Sequence, residues 1–274
     1  MKETPILYKP RSVRTTLDGI KTQTRRIMNP QPLGSFVGYT DDLGYPASRG
    51  NFYAGFQREG AISAGYEKCP YGTPGDLLWV KEPWRPYAWG QDGDDWVIEY
   101  KDGQTQHIGH LYEEHNDVHA EKTQEFWNKI CDELNGKGVY PEKDSVMYPE
   151  GVHKHLSWRS PLFMPKRAAR IWLRINDIRV ERLQDISKED VVREGILRPD
   201  YEFAKRAGTY TEEKETIQLR DFFADLWVSI NGQKSWDTNP WVWVIEFEVI
   251  STTGKPEIAW VTEVKSLIQK PEAT

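Results

Sequence analysis

The sequence predicts an α+β fold built on a small, mostly antiparallel sheet or barrel. Three observations predict it. Strand-like and helix-like segments mix without the regular spacing of parallel βαβ units. Residues 170–183 alternate apolar and polar side chains, and 241–250 run apolar and β-branched, so both read as long strands. Hydrophobic residues make up only 38 %, but 12 Trp, 13 Tyr and 9 Phe supply large side chains for a core.

The elements follow in order. Ile6, Leu7 and Tyr8 form a short strand. Pro10 opens a helix at its first turn and Gly19 closes it. Threonines alternate across 22–27, which predicts a strand. Residues 28–75 are rich in Gly, Pro, Tyr and Ser, which predicts loops and short strands. Gly75 and Asp76 turn into a strand over 77–82. Residues 96–100, closed by Asp102 and Gly103, form the first arm of a hairpin. Residues 120–134 place Phe126, Trp127, Ile130 and Leu134 on one side of a helix capped by Gly136. Residues 137–166 read as loop. Ser187 and Asp190 have the spacing of a helix start, and that helix runs to Glu194 and ends at Gly195. Residues 212–230 form the strongest amphipathic helix, stopped by Asn231 and Gly232, and the tail from 255 adds a last helix.

Composition narrows the function classes. No apolar run is long enough to cross a membrane, and residues 1–6 lack the apolar core of a secretion signal. Cys69 and Cys131 make no disulfide framework, so the expected compartment is the cytoplasm. The net charge is −6, yet 1–30 and 159–179 are basic. Such a chain can bind an anion locally but offers no wide nucleic-acid footprint.

The first basic segment contains "LDGIKTQTRRI", residues 17–27. A lysine held against a low-dielectric wall loses its proton more easily and can serve as a base, which makes Lys21 a candidate. Thr24 is a candidate nucleophile. Arg25 and Arg26 offer forked donors for phosphate or carboxylate. In a regular strand positions 21 and 24 face opposite sides, so they converge only if Lys21 sits in the turn. The plain alternative is an exposed edge strand guarded by charges.

"LDGIKTQTRRI" resembles the Gly-x-Lys-Thr-x-Thr-x-Arg signature of the ASCH family, a branch of the PUA-like barrels. Three further blocks extend the resemblance: Gly75 and Asp76 in "PGDLLWVKEPW", the short helix of "VERLQDISKEDVVREGI" with Glu194, and the final strand "WVWVIEF". The whole pattern is similar to longer, often phage-encoded members. The resemblance implies one discontinuous PUA-like barrel over about 1–30, 72–84, 156–196 and 218–250, with insertions at 28–70 and 85–155. It implies a cleft for a modified nucleoside or nucleobase. One branch of the family removes the acyl group from N4-acetylcytidine. By that resemblance Thr24 is the nucleophile, Lys21 its activator and Glu194 the proton donor or substrate anchor, with no cofactor.

Other residues carry weaker signals. Glu82 is an expected partner for Lys21, and Trp84 an expected stacking surface for a base, against a strand-end salt bridge and a core Trp. Arg167 and Arg170 in "PKRAAR" are candidates to steer phosphate. His107, His110, His115 and His119 include a helical metal-ligand spacing, but no third-ligand motif accompanies them, and a solvated loop explains them as well. His153 and His155 add little. The Trp residues at 227, 236, 241 and 243 read as core. Three functions stay open: an amidohydrolase of N4-acylated cytosine nucleosides, a non-catalytic RNA or modified-DNA binding module, and a phage accessory protein that binds a host protein through its aromatic insertions.

Overall fold

The computed structural model describes residues 1–40, 51–90, 95–111, 117–139, 151–196 and 212–257. The tail from 258 lies outside the described residues, so the helix expected there is not addressed. Strands dominate, and helices are mixed among them, as in an α+β fold. The strands are β1 (Glu3–Leu7), β2 (Gln23–Ile27), β3 (Ser35–Thr40), β4 (Tyr53–Gln57), β5 (Gly65–Lys68), β6 (Leu77–Lys81), β7 (Trp84–Trp89), β8 (Trp96–Tyr100), β9 (Thr105–Gly109), β10 (Trp172–Arg182) and β11 (Trp241–Ser251). The helices are α1 (Pro10–Leu17), α2 (Asp117–Asn135), α3 (Lys188–Arg193), α4 (Glu212–Asn231) and α5 (Gln233–Asp237).

The central sheet has the order β1-β6-β10-β11-β2. Only β1 and β6 pair in parallel; the other three pairings are antiparallel. The sheet is open: β1 and β2 are its edges, and no backbone ladder joins them among the described residues. A side chain spans the gap instead. Arg26 on β2 donates from Nη2 to the Leu7 carbonyl at the end of β1, at 2.8 Å.

Alternation along β11 separates two cores, because successive side chains leave a strand on opposite faces. Trp243, Ile245 and Phe247 join Ile6, Tyr8, Leu78, Val80, Ile175 and Ile178 on one face. Val242 and Val244 pack on the other against Val191 of α3 and Leu219, Phe223 and Trp227 of α4. The Trp residues read as core take that role: Trp227 and Trp243 are buried, and Trp236 and Trp241 pack at the cluster edges.

The two long insertions differ. The Gly-rich stretch 28–70 contains the β3-β4-β5 sheet, where loops and short strands were expected. Its Ala54, Phe56 and Cys69 share the main core. The second insertion builds a core of its own, in which β7, β8, β9 and α2 enclose Trp84, Trp89, Trp96, Ile98 and Tyr100. The expected hairpin arm 96–100 is the middle strand of that sheet. His107 therefore lies on a strand, not in a loop, and pairs with Asp95. His115 and the side chain of His119 lie outside the described residues. No group of three or more His, Cys, Asp or Glu side chains converges as a metal site among those described. Within the described residues no helix is long and apolar enough to cross a membrane.

Asp76 fixes one edge of the main sheet. Its carboxylate accepts from the backbone N–H of Lys2 at 2.7 Å and of Thr73 at 3.0 Å. This carboxylate ties the chain start to the turn that launches β6, so the Gly-Asp pair has a structural use.

Candidate functional site

The site grows from the turn between α1 and β2. Gly19 adopts φ +71°, which ends α1 in the left-handed region that favours glycine. The N–H groups of Ile20 and Lys21 then both donate to the Thr15 carbonyl at 2.9 Å. Lys21 thus sits in the turn, ahead of β2, which removes the geometric objection to a shared site with Thr24.

The second half arrives from α3. Ser187 caps the helix by accepting from the Asp190 N–H at 3.1 Å. The helix ends at Glu194, followed by Gly195 at φ +88°. A Cβ on Gly195 would fall 2.5 Å from Thr15 Oγ1 and 3.1 Å from Lys21 Cβ. The missing side chain is what lets the end of α3 reach the turn. A backbone bond locks this contact, from the Thr22 N–H to the Arg193 carbonyl at 2.9 Å.

The result is a buried ion pair. Lys21 Nζ donates to Glu194 Oε2 at 2.7 Å, to the Glu194 carbonyl at 2.9 Å and to the Gln23 carbonyl at 2.8 Å. Those three bonds use all the protons of an ammonium. Lys21 is 3 % exposed and Glu194 9 %. Burial holds the Lys21 pKa below the usual lysine value, with Arg26 and Arg25 adding to the depression, although the Glu194 charge opposes it.

Arg25 extends the pair into a network on the helix side of β2. It contacts Glu181 at 2.7 Å, Asp190 at 2.9 Å and Glu194 at 3.4 Å. Arg179 on β10 binds the same Asp190 oxygen at 2.7 Å and pairs with Glu246. Burial alone would raise the Asp190 pKa, but the two guanidiniums bring it below the usual carboxylate value. Arg25 is therefore engaged by protein carboxylates rather than free for a ligand phosphate.

Thr24 and Arg26 alternate onto the other face of β2, opposite Ile245 and Trp243. Thr24 is buried, and its hydroxyl makes no hydrogen bond among the described residues. Tyr8 lies on this side. Lys21 Nζ is 5.8 Å and Arg26 Cζ 5.7 Å from its ring centre. The Tyr8 hydroxyl is buried without a partner, and burial pushes its pKa up. Gln23 Nε2, Arg25 Nε and Arg26 Nε are orphaned as well. Four hydrogen-bonding groups on these elements thus lack partners among the described residues. A cleft of 470 Å³ opens at Lys21, with Asn176, Arg193, Glu246 and Glu248 among its other walls.

The remaining sequence candidates lie elsewhere. Glu82 meets Arg170, not Lys21: the pair is bidentate at 2.8 and 2.9 Å, and each side chain is 2 % exposed. Arg170 also takes Asp102 and Gln104, and its Cζ sits 4.0 Å from the Tyr100 ring centre. This cluster joins the end of β6 to the second insertion, and it leaves Arg170 no free donor face for phosphate. Trp84 is 1 % exposed and stacked on Phe126 at 5.7 Å, so it is core and not an open stacking surface. Arg167 is exposed.

Sequence reasoning missed Tyr8, Gln23, Arg179 and Glu181. Their charges and hydroxyl acquire meaning only from strand pairing across the sheet. Asp190 was visible as a helix-start residue, but its second use as an Arg25 partner was not.

Compared with family models, with curated proteins and with solved structures, the chain matches none.

Proposed function

We propose that the chain is an ASCH-type amidohydrolase acting on an N4-acylated cytosine nucleoside at Lys21, Thr24 and Glu194. On this reading the open central sheet is a PUA-like barrel, its seam between β1 and β2 bridged by Arg26. The observation that carries the proposal is the buried Lys21–Glu194 pair, whose lysine lies in the wall of a cleft. Perturbed, buried titratable groups at a cleft mark a functional site more often than a structural one.

The chemistry follows from the pair. Transfer of one proton along the 2.7 Å bond turns ammonium and carboxylate into amine and carboxylic acid. These are the base and the acid that acyl transfer needs. The Lys21 amine takes the Thr24 hydroxyl proton as the oxygen attacks the acyl carbonyl carbon. The C–N4 bond breaks, and the Glu194 acid protonates the leaving cytosine amine. Water then cleaves the Thr24 ester, releasing the carboxylic acid. The low Lys21 pKa favours the neutral amine that starts the cycle.

Charge favours a free nucleoside over a polymer. The cleft walls mix Lys21 and Arg193 with Glu246 and Glu248, and the net charge is −6. A neutral polar molecule suits such a wall, whereas a polyanion meets repulsion. The test has two arms. Free N4-acylcytidines are incubated with the protein and chromatographed, and RNA binding is titrated with salt. Turnover that is lost in Thr24→Val supports the hydrolase. RNA affinity that falls steeply with salt, without turnover, supports the binding module instead.

A further inference from the structure

A second cleft, of 420 Å³, lies between α2 and the segment 159–165, and it shares no wall with the Lys21 cleft. Two of its lining residues carry buried N–H donors without partners, Trp84 Nε1 and Arg159 Nε. They are linked neighbours: the Arg159 N–H donates to the Trp84 carbonyl at 2.7 Å. Buried donors are nearly always satisfied, so two orphans on residues that line one cleft point to an acceptor beyond the described residues.

The rest of the lining describes that acceptor. Phe126 and Phe163 offer aromatic surface, and Arg159 Cζ lies 5.8 Å from the Phe126 ring centre. Phe163 is 74 % exposed on a three-residue 3-10 turn, so its ring has room to move as a ligand enters. Lys122 and Lys129 stand about two helical turns apart on the same face of α2 and line the cleft. Neither makes an ion pair among the described residues. Among the described lining residues Glu125 is the one acid, against Lys122, Lys129 and Arg159, the last paired with Glu133 at 2.7 Å.

We propose that this cleft binds a small aromatic anion. Its ring packs against Phe126 and Phe163. Its carboxylate or phosphate oxygens accept from Trp84 Nε1 and Arg159 Nε, with Lys122 and Lys129 drawing it in. The site is independent of the Lys21 chemistry and stands whether or not that reading holds.

The test is calorimetric titration of the full chain with indole-3-carboxylate, with phenyl phosphate and with neutral indole-3-carboxamide. The proposal expects at least one anion to bind at concentrations up to about 5 mM. Binding of the carboxylate alone points to an organic acid, of the phosphate alone to a phosphate ester, and of both to the shared anionic chemistry. Lys122→Glu with Lys129→Glu should weaken binding roughly tenfold or more, and Phe163→Ala should weaken it too. All three side chains are exposed, so thermal melts should match the parent. The proposal is overturned if neither anion binds, if the carboxamide binds as tightly as the anions, or if the variants bind like the parent.

Discussion

Lys21 and Glu194, 173 residues apart in the chain, meet through a 2.7 Å ion pair almost closed to solvent. The pair is the point where the α1–β2 turn, the end of α3 and the inner face of β2 come together. Its energetics are one-sided. Removing one partner leaves a buried charge, whereas removing both leaves none. Lys21→Met should therefore cost about 3–5 kcal/mol in urea unfolding. Adding Glu194→Leu should restore most of that loss while activity stays absent. A double variant as unstable as the single one would show that the two groups do not act as a pair.

The approach of α3 to the turn depends on Gly195. Alanine there places its Cβ 2.5 Å from Thr15 Oγ1, in a backbone region that L residues avoid. Gly195→Ala should lose about 1–3 kcal/mol of stability. Turnover should fall further than unfolding alone explains, because Glu194 is displaced from Lys21. Unchanged turnover in the folded fraction would separate Glu194 from the chemistry.

Tyr8 makes the opposite kind of prediction. Its hydroxyl has no partner, so Tyr8→Phe removes an unsatisfied group and should leave stability equal or slightly higher. The proposed chemistry would gain from this hydroxyl as a donor to the reacting carbonyl. Losing such a donor should lower kcat by about 10²–10³ with little change in Tm. A drop in Tm with normal kcat would assign the hydroxyl a packing role.

Much of this site was legible locally. Gly19, Lys21, Ser187 and Gly195 announce a turn, a helix start and a helix end, and those signals act over a few residues. What stayed hidden is pairing between distant segments. The sequence places Glu82 on a strand end but does not show that Arg170, rather than Lys21, lies across from it. Trp84 reads as core or as a platform until Phe126 of α2 covers it. The β3-β4-β5 sheet is masked by glycine and proline, because its strands draw their stability from packing on Trp241 and Trp243 rather than from propensity.

Glu133 should be one source of acid sensitivity, as Asp190 is. Burial alone would raise its pKa, but hydrogen bonds from Ser157 and Lys137 and the Arg159 charge bring it down to about 2 from the ordinary 4.5. A carboxylate with a depressed folded pKa binds fewer protons folded than unfolded. Its contribution is complete above pH 4.5 and is lost as pH falls toward 2. Parent and Glu133→Gln should differ by on the order of 2 kcal/mol at neutral pH and converge in acid. A gap that is constant with pH would contradict this assignment.

The central claim is that Lys21 drives amide hydrolysis on a cytosine nucleoside. The most direct measurement is chromatography of N4-acetylcytidine after incubation with the parent protein and with Lys21→Met/Glu194→Leu, whose fold is checked by the urea unfolding above. Cytidine formed by the parent alone is the predicted result. No cytidine from the parent across a panel of N4-acylated cytosines, or equal conversion by both proteins, would contradict it.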